Sequence, residues 1–119
     1  MSGKIFWFDL TVSDAESVRD FYAAIAGWEP HNHDMDGYND YDMRLPGTET
    51  VTAGICHKRG ANAEIPSQWM IYIQVDNFNE RIAQVEHLGG NILIPPKGEK
   101  GQRLCVIQDP AGAVFTITE

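Results

Sequence analysis

The apolar positions along the chain switch period twice, in the same order each time. Residues 4–12 (KIFWFDLTV) set Phe6, Phe8, Leu10 and Val12 against Trp7, Asp9 and Thr11, the two-residue alternation of a strand. The next stretch carries Val18, Phe21, Tyr22 and Ile25 at helical spacing. Asp14 is placed to accept from free N–H groups of the first turn, and Gly27 to end the helix in a left-handed conformation. Sixty-three residues later the plan recurs without a gap: strand 67–75 (SQWMIYIQV), Asn77 for Asp14, Ile82, Val85 and Leu88 at helical spacing, and Gly90 for Gly27. Shorter β-type runs follow each helix, at 41–46 and 51–57 in the first copy and at 91–96, 103–108 and 113–118 in the second.

The pattern therefore predicts an α+β chain of two half-domains: module 1 (4–57), a polar linker (58–66) that ends in Pro66, and module 2 (67–119). One helix and a small sheet cannot bury both sheet faces, so the halves must pair, within the chain or across a dimer. A ligand would lie between the paired sheets. With the aliphatic sets under the helices, the other strand face carries Trp7, Asp9, Met70, Tyr72, Gln74, Thr116 and Thr118. A solvated sheet face is one reading of this mixture. Trp and Met suit a pocket with a few placed polar groups better, which makes these residues the candidate ligand-binding set.

Val12 and Asp14, Phe21-Tyr22, Gly27-Trp28, the QWMIYIQVDN strand, HLGGNILIPP and the terminal DPAGAVFTI stand together in one order. In that combination they resemble the vicinal oxygen chelate superfamily, which includes glyoxalase I, the bleomycin resistance proteins and the extradiol dioxygenases. The resemblance covers nearly the whole chain. It implies two βαβββ modules pairing into curved sheets around a cleft, the glyoxalase/bleomycin resistance/dihydroxybiphenyl dioxygenase-like fold. It also implies where metal-dependent members hold their ligands, a His and a carboxylate from each module. Carried across residue by residue, those positions fall on Trp7, Ala53, Met70 and Thr116. None is a His or a carboxylate, so Lewis-acid activation of paired oxygens lacks its donors. No metal and no other cofactor is expected.

The stretch His31-Asn32-His33-Asp34-Met35-Asp36 invites a metal reading, and Asn32, Asp34, Asp36 and Gly37 copy the start of a calcium loop. The required bidentate Glu at the twelfth position is Met43, so a solvated loop over 31–42, with Tyr38 and Tyr41 at the rim of a cleft, is the expectation. Asp9 and His57 are the candidate catalytic groups. A carboxylate inside an aromatic strand needs a donor or a raised pKa. It would either ion-pair with Arg44 or Arg103 or anchor a ligand, and His57 has the pKa range of a general base.

Charge narrows the partners. Seventeen acids against nine Lys and Arg leave a net charge of −8, and the longest basic cluster is Lys58-Arg59, which disfavours nucleic acid and anionic membranes. The 119 residues fit one domain, 43% hydrophobic positions suffice for a core, and no apolar run is long enough to span a membrane. A cytoplasmic location follows, with Cys56 and Cys105 as core thiols. The expected function is metal-free binding of a planar or apolar small molecule, cationic ones included, by a homodimer. The alternative is a lyase, isomerase or dioxygenase of the same superfamily that is metal-independent or uses a non-standard metal site.

Overall fold

A computed structural model describes residues 2–119. The elements run β1 (Lys4–Val12), α1 (Ala15–Ala26), β2 (Glu29–Asp34), β3 (Asn39–Arg44), β4 (Val51–His57), β5 (Trp69–Gln74), α2 (Phe78–Gln84), β6 (Asn91–Lys97), β7 (Leu104–Gln108) and β8 (Val114–Thr118), with one 3-10 turn at Gly60–Asn62. The order βαβββ thus occurs twice, in a mixed α+β chain. Two compact units are formed, residues 8–69 around α1 and residues 2–7 with 70–119 around α2, so β1 contributes its end to the first and its beginning to the second. Strand order is β2-β3-β4-β1 in the α1 unit and β1-β5-β8-β7-β6 in the α2 unit. No helix among the described residues is long and apolar enough to cross a membrane.

In the α1 unit, Asp14 accepts from the Ser17 N–H at 3.1 Å and Gly27 closes the helix at φ 73°. Leu10, Val12, Ala15, Tyr41, Met43 and Ile55 form the buried core, with Val18, Tyr22, Trp28 and Trp69 against it. The inward set read from the sequence needs trimming. Phe21 and Ile25 are exposed, as are Phe6 and Phe8, because the core under α1 begins at Leu10 and is met by the first two turns of the helix.

The α2 unit buries Phe78, Cys105, Ile107 and Ile117, with Ile73, Val75, Ile82 and Val85 among the side chains packed on them. Its helix is shorter than the pattern predicts. Asn77 sits at φ 50° and makes no side-chain cap, α2 ends at Gln84, and Leu88 is exposed. Gly89, not Gly90, takes the left-handed conformation. Gly90 is required for a different reason: a Cβ there would stand 2.8 Å from the Gln108 carbonyl oxygen.

The expected loop over 31–42 is largely a hairpin. β2 pairs antiparallel with β3, His31 opposite Asp42 and His33 opposite Asp40, around a turn that puts Asp36 and Gly37 at positive φ. β2 has almost no apolar periodicity because it is the edge strand of its unit, where polar and charged side chains are normal. Tyr41 lies in the core and not at a rim. Tyr38 stacks under the Arg59 guanidinium, 3.8 Å from the ring centroid. The linker is not wholly solvated either, since Ile65 is buried.

Candidate ligand site

Strand register decides which candidate side chains share a face. In the α2 unit, Tyr72 lies beside Thr116 and Gln74 beside Thr118, while Thr116 faces Val106 and Thr118 faces Leu104. This face points away from the α2 core. It has a closed end and an open end. Met70 and Thr116 are completely buried, with Val106 and Ile94 also buried beside them, and the Thr116 hydroxyl donates to the Met70 sulfur at 3.9 Å. At the other end, Gln74, Thr118, Phe6, Gly101, Gln102 and Glu119 line a cavity of about 280 Å³. The Phe6 ring meets Tyr72 edge-on, centroids 6.3 Å apart, which takes Phe6 away from the helix-packing role its alternation suggests. Of the predicted ligand set, Gln74 and Thr118 line this opening and Tyr72 stands beside it. Met70 and Thr116 are sealed core, and Trp7 is half-buried in the same unit.

Asp9 lies in the other unit. Its neighbours are set by the parallel pairing of β1 with β4, Asp9 beside Gly54 and Thr11 beside Cys56, and by the antiparallel pairing that puts Asp42 on the far side of Gly54. Asp9 and Asp40 are buried. The Cys56 S–H donates towards both Asp9 carboxylate oxygens at 3.4 and 3.3 Å, and Asp40 accepts from the His57 backbone N–H at 2.9 Å. Burial first, then the charges of Asp9 and Asp40, pushes the Cys56 thiol well above its ordinary pKa, so it stays an S–H donor. Arg103 is held by Glu119 and packs over Phe78, and Arg44 stands opposite Glu29 with a buried Nε that has no hydrogen-bond partner.

His57 does not join Asp9. One residue on from Cys56, it projects to the α1 side, with Nε2 3.5 Å from Glu16 and its ring against Tyr38 and Tyr41. Successive residues of a strand face opposite sides, so the two candidate catalytic groups are separated by the sheet. Cys56 is the contact of Asp9 that the sequence did not pair with it, and Asp40 and Asp42 lie one strand further on. The alternation of VTAGICH puts Gly54 and Cys56 on one side, but only the register says that it is the side of Asp9.

The same register corrects one metal position. Asp9 pairs with Gly54 as Tyr72 pairs with Thr116, so the counterpart of Thr116 is Gly54 and not Ala53. Ala53 belongs to the opposite face with Met43 and Ile55. The four positions are then Trp7, Gly54, Met70 and Thr116, which offer at most a thioether and a hydroxyl that already contact each other. A hard divalent cation wants carboxylate, imidazole or carbonyl donors, so these residues do not fit one. Among the described residues no group of three or more His, Cys, Asp or Glu side chains is placed to hold a metal elsewhere.

Two modules of βαβββ order, the second with an opening lined by Phe6, Gln74 and Thr118 on the sheet face away from its helix, define a vicinal oxygen chelate type of protein. The chain belongs to the glyoxalase-like domain family, whose description matches residues 6–118. It is 31% identical over 110 residues to the glyoxylase-named CFP32 of Mycobacterium tuberculosis, an overlap of 90% of this chain and 42% of that protein. It is 28% identical over 127 residues to the anthracycline biosynthesis protein DnrV of Streptomyces peucetius, covering 97% of this chain and 46% of that one. The chain thus spans less than half the length of these relatives. Among solved structures, a glyoxalase/bleomycin resistance protein/dioxygenase superfamily member from Vibrio splendidus superposes with a TM-score of 0.61 at 15% identity, over 97% of this chain and 98% of that one. Streptomyces coelicolor methylmalonyl-CoA epimerase, solved with 2-nitronate-propionyl-CoA, gives 0.57 at 16% identity, covering 99% and 97%. Both likenesses are of fold.

Proposed function

We propose that this glyoxalase-like chain is a cytoplasmic, metal-free binding protein for a planar or apolar small molecule. The observation that carries the reading is the α2-unit face, where Met70 and Thr116, at positions that the resemblance assigns to metal ligands, are sealed together, and the free space lies further along the same strands at Gln74, Thr118 and Phe6. Phe6 and Tyr72 supply ring faces and edges, and Gln74, Gln102 and Thr118 supply hydrogen bonds, the composition of a pocket that orients an aromatic ligand. A relative named for the biosynthesis of anthracyclines, which are planar polycycles, is consistent with that ligand class. Phe21 and Ile25, exposed on α1, support assembly as a homodimer.

Elemental analysis and calorimetry of the purified protein test this together. The expected result is no stoichiometric Ni, Zn, Fe or Mn, and binding of a planar aromatic that weakens at least tenfold in Gln74→Ala and Thr118→Val. One metal ion per chain, or binding indifferent to both substitutions, overturns it.

A second reading is supported by the Asp9–Cys56 contact. A buried carboxylate touching a thiol that keeps its proton is a group able to take and return a proton without metal. In that reading the chain is a metal-independent lyase or isomerase with Asp9 as base, and turnover falls by orders of magnitude in Asp9→Asn while ligand binding persists.

A further inference from the structure

A second cavity opens in the α1 unit, on the helix side of the sheet and therefore on the face opposite Asp9. It measures about 200 Å³ and is lined by Phe8, Trp28, Thr52, Ala53 and Trp69. Three features give it the character of a built site. Its two tryptophan walls stand perpendicular, at 88° with centroids 5.8 Å apart. Both are fixed by one residue behind them: Tyr22 stacks on Trp28 at 5.6 Å and 17°, meets Trp69 edge-on at 5.3 Å, and its hydroxyl accepts from the Trp69 Nε1–H at 2.9 Å. The depth is created by Ala53, a small residue in a strand where any longer side chain would occupy the space, and Phe8 stands at the mouth 45% exposed.

The lining states its ligand. It carries no charged side chain and a single hydroxyl, that of Thr52. A polar or ionic molecule would lose hydration there without replacement. Two rings at right angles offer a planar guest one face for stacking and one edge for a T-shaped contact, the preferred arrangements of aromatic pairs. An apolar cavity of about 150 Å³ holds a benzene molecule, so this one takes one ring or a small fused pair. We infer that this cavity is a binding site for a neutral planar aromatic group of one or two rings, held in the angle that Trp28 and Trp69 form, with Phe8 at its mouth. It is separate from the opening at Gln74 and Thr118, and does not depend on the function proposed for that opening.

The test uses the whole chain labelled with 15N and unlabelled indole as the probe. The three tryptophans give three indole N–H signals, assigned from single Trp→Phe variants. The Trp28 and Trp69 signals are expected to move together and saturate as indole is added, with the Trp7 signal unmoved. Ala53→Leu, which fills the cavity, is expected to weaken the apparent affinity at least tenfold. Phe8→Ala, at a half-exposed position that leaves the core intact, is expected to weaken it several-fold and decides the matter should the first variant not fold. No saturable shift at Trp28 and Trp69, an equal shift at Trp7, or unchanged affinity in both variants overturns the inference. So does movement of the same signals on dilution without indole, which would make a second copy of the chain the occupant.

Discussion

Replacing Met70 by Ala probes whether the closed end of the α2-unit face is truly core. Met70 is completely buried in the α2 unit, with the Thr116 hydroxyl on its sulfur. The substitution removes the three heavy atoms beyond Cβ, which at about 0.8 kcal/mol per buried methylene-sized group costs roughly 2.4 kcal/mol in transfer alone. Whatever space fails to collapse adds about 1.2 kcal/mol per 50 Å³, at ~24 cal/mol per Å³. The expected loss is therefore about 2–4 kcal/mol, inside the range of roughly 2–5 kcal/mol usual for Met→Ala in cores. With a urea m-value of about 2 kcal/mol/M, the middle of the usual range, the denaturation midpoint falls by roughly 1–2 M at constant m. Thr116→Val, close in shape and giving up only a weak contact to sulfur, is expected to stay within about 1 kcal/mol. A midpoint unmoved by Met70→Ala, combined with altered ligand affinity, would refute the reasoning. Met70 would then line an open site, and the pocket assigned to Gln74 and Thr118 would be misplaced.

Two other outcomes follow from single contacts. Gly90→Ala brings a Cβ to 2.8 Å from the Gln108 carbonyl and 3.1 Å from Val85 Cγ1, backbone on one side and a stiff branched chain on the other. It is expected to destabilise by about 1–3 kcal/mol in a thermal melt, and a neutral result would show that this end of the β6–β7 ladder yields easily. Cys56 resists ionisation in the folded chain, chiefly by burial and then by Asp9 and Asp40. Its unfolded counterpart loses its proton from about pH 8.5, so stability is intact below that pH and falls above it, by up to about 1.4 kcal/mol per pH unit for this thiol. Cys105, also raised by burial, acts in the same direction. Unfolding free energies between pH 8.5 and 9.5 should decline less steeply in Cys56→Ser, and an unchanged slope would mean that the thiol ionises freely in the fold.

Much of this architecture is legible in the residues because the strongest signals are local. Alternation in β1 and β5, the Asp14 cap and the helical spacing of Val18 and Tyr22 each depend on neighbours a few positions apart, and the 63-residue repeat follows from them. What escapes is set by partners distant in the chain. His31-Asn32-His33-Asp34 becomes a strand through its ladder with β3, not through any pattern of its own. Gly54 replaces Ala53 as the counterpart of Thr116 because the connection from β1 to β4 differs by one residue from its repeat, and one residue reverses a strand's faces. The same reversal separates His57 from Asp9. Phe6 and Phe8 alternate as core residues should, yet the core cluster under α1 begins at Leu10, and where a helix stops covering a sheet is not written in the strand.

Binding of a planar molecule at the opening beside Gln74 and Thr118, as proposed, requires no metal. Thermal unfolding against a panel of planar aromatics, each run with and without a chelator, tests it most directly. A ligand at a hundred times its Kd adds about 2.7 kcal/mol to the native state, which for a domain of this size raises Tm by about 10 °C. Such a rise is expected for at least one compound, equal in the presence and absence of chelator. A rise that the chelator abolishes would contradict it and place a metal in the site.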